Sequence, residues 1–165
     1  MSRALSIVLV LAALTVGQPG VKADEPGAAA ALAKTKLEEA NRRVVVTMYN
    51  LLMNEHKVDE ALQYIDPRYK QHNLRAPDGK EFIRGAFKAR FVEYPKFRSD
   101  IKRTVADGDL VVVHTHERYN PDDASDLGNI IMDIYRVENG LIVEHWDAYI
   151  PVPPKEQWLH DNGAF

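Results

Sequence analysis

The sequence predicts an α+β domain, with helices first and an antiparallel sheet after them. Three observations carry this. Apolar residues recur at helical spacing through the first half. From Phe97 onward they alternate with polar ones. Asp-Gly and Asn-Gly pairs then punctuate the strand-like runs.

Ahead of the domain, Met1-Ser2-Arg3 is followed by an apolar run from Ala4 to Val16 and a small-residue stretch to Ala23. That is the layout of a secretory signal. A membrane span needs about 20 apolar residues, and this run is broken earlier by Gly17-Gln18-Pro19-Gly20. Residues 1–23 are therefore expected to be a bacterial-type signal peptide, cut after Ala23, on an exported, periplasmic or secreted protein. Residues 24–31, rich in Ala, Gly and Pro, are expected to be a flexible lead-in.

A helix is predicted from Leu32 to His56, with Leu37, Val44, Met48, Leu51 and Leu52 on its apolar side. A short second helix, Asp59 to Ile65, stops at Asp66-Pro67 because proline brings no N–H. Arg68 to Asn73 is expected to be extended. Asp78 to Glu93 is a third helix, with Asp78 and Glu81 at capping-box spacing and Phe82, Ile83, Ala86, Phe87 and Phe91 as its buried stripe. The sheet begins with Ile101, Arg103 and Val105. It turns at Asp107-Gly108 and continues through Leu110–Tyr119, Asn129–Val137 and Leu141–Ile150. Pro151, Pro153 and Pro154 end it, and 154–165 form a tail.

The formal charge is −3. It becomes −5 once residues 1–23, which hold Arg3 and Lys22 and no acid, are removed. Nucleic acid and anionic membrane select basic patches, so neither is an expected partner of the mature chain. With no cysteine there is no disulfide framework. About 140 residues can bury a core without one, and they make one domain.

The polar residues that draw attention are His72, His114, His116, His145, Asp133 and Asp147. His114 and His116 alternate along a strand and so share a face. So do His145 and Asp147, with Glu144 and Trp146 opposite. The turn at Glu138-Asn139-Gly140 leaves two registers open. A three-residue loop sets Asp133 against His145. A two-residue Asn-Gly turn sets it against Trp146. A lone strand histidine is commonly structural, but four histidines and two aspartates that converge need partners. His-x-His with a third histidine (His145 or His72) is also a zinc pattern. The loop Asp122–Asp126 lacks the spacing of a calcium hand.

The hairpin Asp133-Ile-Tyr-Arg-Val-Glu-Asn139 and Gly140-Leu-Ile-Val-Glu-His-Trp-Asp-Ala-Tyr149, with Gln71-His72-Asn73 and the helix from Asp78 to Phe91, resembles SnoaL-like proteins of the nuclear transport factor 2-like superfamily. The nearest likeness is to predicted aldol-condensation enzymes and polyketide cyclases, over roughly residues 35–153. The resemblance implies a cone: a curved antiparallel sheet wrapped around about three N-terminal helices, spanning 32–153 and enclosing a small-molecule pocket. It implies a homodimer through the outer sheet face. It places Asp133 and Asp147 in the pocket, which favours the three-residue loop. The implied chemistry is acid/base catalysis on a carbonyl compound with no metal or cofactor. Asp147 is then the acid/base, His116 its proton partner, and Asp133, His145 and Asn73 orienting or oxyanion groups. Tyr69, His72, His114 and Trp146 are second choices as substrate contacts. A non-catalytic binding module is the alternative, and a histidine metal site the second. His114 and His116 stand where limonene epoxide hydrolase carries Arg and Asp, which argues against that reaction.

Overall fold

A computed structural model describes residues 25–165; the proposed signal peptide lies outside them. Three helices and five strands follow in order: α1 (Glu25–Met53), α2 (Val58–Ala61), β1 (Ile65–Gln71), α3 (Lys80–Glu93), β2 (Arg98–Asp107), β3 (Leu110–Arg118), β4 (Asn129–Glu138) and β5 (Leu141–Pro151). The strands form one sheet in the order β1-β5-β4-β3-β2. This is the α+β class expected. Four strands are antiparallel, and β1 joins β5 in parallel, so the sheet is mixed. Pro67 is tolerated because β1 is an edge strand.

Residues 25–31 are helical rather than an irregular lead-in. Their alanines carry the highest helix propensity of any residue, and the run continues into α1 without a breaker. Although its first turns are exposed, the helix is held by the β2–β3 turn. Lys34 Nζ lies 2.8 Å from Asp107, Asn41 Nδ2 donates to the Gly108 carbonyl and the Gly108 N–H donates to Glu38. Val45, Met48, Tyr49 and Leu52 then pack on Val111, Val113, Tyr135, Val137 and Ile142. Burying each such side chain contributes about 1.5–3 kcal/mol.

The expected cap of α3 does not form. Gly79 is the N-cap with φ 90°, and Asp78 instead accepts the Gln71 N–H at 2.7 Å. That bond ties the α3 entry to the end of β1. Of the stripe on α3, only Ile83 is fully buried. Phe82 and Ala86 are exposed because they face a cavity, not a packed core. Among the described residues no helix is long and apolar enough to cross a membrane.

The β4–β5 hairpin resolves the register in a way neither expectation had. Asn139 (φ 51°) and Gly140 (φ 78°) make a two-residue turn closed by Glu138 and Leu141. The register then shifts between Arg136 and Val137, where Val143 is the extra residue on β5. Beyond that bulge Tyr135 faces His145 and Asp133 faces Asp147. The bulge, not the loop, puts both aspartates and His145 on the inner face.

Candidate functional site

Between α1, α3 and the inner face of the sheet lies a cavity of about 510 Å³, within the roughly 300–1,000 Å³ usual for small-molecule sites. Met48, Leu52, Phe82, Ile83, Phe87 and Ile131 are among its apolar walls. At one end, polar groups from β1, β4 and β5 converge. Buried Asp133 Oδ1 lies 2.9 Å from His145 Nε2. His145 Nδ1 lies 3.2 Å from Gln71 Oε1, and the imidazole stacks on Tyr135 with centroids 4.6 Å apart. Asn73 Nδ2 donates to Asp147 Oδ2 at 2.9 Å.

The hydrogen-bond pattern fixes several proton positions. Gln71 Oε1 accepts the backbone N–H of Asn73, so it is the carbonyl oxygen and also accepts from His145 Nδ1–H. Gln71 Nε2 donates to the Tyr69 hydroxyl at 3.1 Å, which leaves the phenol's own hydrogen free to donate. One proton remains to be shared between His145 Nε2 and Asp133. Burial pushes the Asp133 carboxyl up from its ordinary range, against the pull of His145. Its Oδ2 is buried with no hydrogen-bond partner among the described residues. Burial, helped by the Asp133 and Asp147 charges, also raises the Tyr69 phenol, so it stays a neutral donor.

The site thus gathers Asp133, His145, Asp147, Asn73 and Tyr69. The other sequence candidates lie elsewhere. On β3 the inner face carries Val111, Val113, Thr115 and Glu117, since Val113 pairs with Asp133 and Glu117 with Asn129. His114 and His116 therefore point outward. Phe165 of the tail stacks on His116 at 4.2 Å and on His114 at 5.7 Å. His114 also bonds to Arg103, and burial followed by the Arg103 and Lys102 charges lowers its pKa. The expectation that His116 is the proton partner of Asp147 is not met. His72 stacks on Trp146 and bonds to Glu144 on the outer face. The four histidines consequently do not converge, and a zinc site built from them has no geometric basis. Asp133, His145 and Asp147 do offer ligand atoms within 4.8 Å of one another, although Nε2 of His145 is already turned to Asp133.

Gln71 was not among the candidates, yet the alternation Tyr69, Gln71, Asn73 along an extended run marks it and rejects His72. Glu117 was also missed. It is buried on β3, accepts Asn129 Nδ2 at 3.2 Å and lies 3.7 Å from Arg90. Burial raises its pKa above the ordinary value, and the Arg90 charge opposes this. A raised folded pKa means that the stabilising contribution is full below the unfolded pKa and is lost as pH rises through the folded one. Thermal midpoints of Glu117→Gln should therefore gain on wild type as pH rises from 4.5 to 8. A constant difference would contradict the desolvation reading.

A family model described as SnoaL-like polyketide cyclase matches residues 43–157. The chain belongs to that family. Solved structures agree on the fold. A SnoaL-like protein of unknown function from Burkholderia thailandensis is 14% identical, with a TM-score of 0.56 over 69% of this chain and 98% of that one. TsrD from Streptomyces laurentii is 22% identical, with a TM-score of 0.56 over 68% and 90%. Bal32a, from a soil-derived mobile gene cassette, is 16% identical, with a TM-score of 0.58 over 68% and 90%. No functionally curated protein matches the sequence.

Proposed function

We propose that the cavity catalyses metal-free proton transfer on an aromatic or polyketide-type carbonyl compound, of the kind that closes a ring by aldol condensation. The observation that carries this reading is the hydrogen-bonded chain Asp133–His145–Gln71–Tyr69, buried at Asp133, His145 and Tyr69, ending in a free phenolic donor beside the Asp147 carboxylate. Asp147 takes a proton from the carbon next to the carbonyl. The C–H pair becomes the enolate double bond, and the carbonyl π pair moves to oxygen. The Tyr69 O–H stabilises that oxygen. The enolate carbon then attacks a second carbonyl of the same molecule, whose oxygen receives the proton from Asp147. Asp133 and His145 hold one shared proton and orient Gln71, which orients Tyr69.

The test is exchange of the α-hydrogens of 2-tetralone in D2O, followed by NMR. Catalysed exchange is expected. Binding without catalysed exchange would replace the enzyme reading by a passive pocket. Dependence on added zinc, abolished by a chelator, would favour a metal at Asp133, His145 and Asp147.

We also propose that the mature chain is exported and forms a homodimer through the outer sheet face. There Ile130, Met132 and Ile134 of β4 adjoin Trp146, Ala148 and Ile150 of β5. Met132 and Ile150 are exposed, and apolar rows of this kind favour association. Met132→Glu should halve the mass in analytical ultracentrifugation. A wild-type monomer would refute the dimer.

A further inference from the structure

The cavity has a second polar end that the proposed chemistry does not use. Glu117 (β3), Asn129 (β4), Tyr119 and Arg90 (α3) line it together. Glu117 is 8% exposed and reaches the cavity between Asn129 and Arg90. Arg90 is held over the rings of Phe87 and Phe97, with its guanidinium carbon 5.1 and 5.3 Å from their centroids. Asp133 stands opposite Val113, four residues along β3 from Glu117, which is roughly 13 Å of strand. Ile131 and the α3 phenylalanines Phe82 and Phe87 line the cavity as well.

Resting on the reading that the Asp133 end receives a carbonyl group, we propose that Glu117 is a specificity residue that binds a hydroxyl at the far end of an elongated, ring-bearing ligand. A buried carboxylate with one neutral partner and a cation at 3.7 Å keeps acceptor capacity unused. A ligand hydroxyl donating to it meets a charged acceptor in a water-poor setting, where such bonds are strong. The pocket would then select carbonyl compounds about two rings long that carry a hydroxyl distal to the carbonyl.

The probes are 4-acetyl-4′-hydroxybiphenyl and its analogue without the hydroxyl, 4-acetylbiphenyl, titrated calorimetrically against the full chain. The hydroxyl should tighten binding about tenfold to a hundredfold. In Glu117→Leu that advantage should vanish, while 4-acetylbiphenyl binds as to wild type. If Glu117→Leu does not fold, Glu117→Gln should reduce the advantage. An advantage unchanged in the variants, no advantage in wild type, or no binding of either probe overturns the proposal. His145→Ala tests the other end separately. It should weaken both probes equally, and if it leaves both untouched the carbonyl assignment fails while the Glu117 comparison still reads.

Discussion

Asp147→Asn is expected to slow α-hydrogen exchange by about 10²–10⁴-fold, the usual contribution of a positioned general base. The substitution is nearly isosteric, and the new amide oxygen can still accept from Asn73 Nδ2, which now sits 2.9 Å from Asp147 Oδ2. Ligand affinity should therefore hold while turnover falls, so kcat carries the loss and KM does not. Asp133→Asn gives the matching control on the interior. The amide can donate to His145 Nε2 and preserve the 2.9 Å contact, with Nδ1–H still directed at Gln71. The shared proton is gone, but the scaffold remains. A smaller loss than at Asp147 makes Asp133 a positioning group. A loss as large, with a shifted pH profile, makes it part of the proton path. Unchanged turnover in Asp147→Asn would remove the base from the mechanism.

What could be read from the chain and what could not divides by the range of the interaction. Helices α1 and α3 and strands β3 to β5 followed from periodicity, because a helix or strand face depends only on its own residues. Faces across the sheet depend on register, which local pattern does not carry. The loop between β3 and β4 is too long to fix how the strands align, so His114 and His116 were assigned to the wrong side. Thr115 and Glu117 hold the inner positions. On the β4–β5 hairpin the Asn-Gly signal was right about the turn. The bulge at Val143 then moved every later pair by one residue. Two adjacent buried residues, Ile142 and Val143, are its trace in a strand that otherwise alternates. Resemblance placed Asp133 and Asp147 in the pocket correctly, through a loop length that does not occur. The stripe on α3, in which Phe82 and Ala86 are exposed, shows the same limit from the other side. An apolar helix face looks alike whether a core or an open cavity lies under it.

Gly128→Ala should be more damaging than alanine at Gly79, Gly85, Gly108, Gly140 or Gly163, where a Cβ meets nothing within 4 Å. Gly128 sits at φ +72°, where an L side chain costs about 1–3 kcal/mol. A Cβ built there would lie 2.1 Å from the Glu117 carbonyl oxygen and 2.7 Å from Arg118 Cγ. The first neighbour is backbone in a paired strand and cannot swing aside. Overpacking adds about 1–3 kcal/mol. A combined loss of about 2–6 kcal/mol corresponds to a midpoint roughly 5–20 °C lower for a domain of this size. The Gly128 carbonyl also accepts the Val152 N–H, and its own N–H donates to Asp126, so the end of β5 moves with it. Relief of the clash would displace Glu117, and the hydroxyl preference of the cavity should fall along with stability. Gly85→Ala is the counterpart. It lies within α3 with nothing inside 4 Å of its Cβ position, so alanine should raise stability by about 0.5–1 kcal/mol through helix propensity. Thermal melts of the two variants decide the point. Opposite signs are expected from the same methyl group, and a loss at both sites would mean that helix propensity does not govern the exposed Gly85 position of α3.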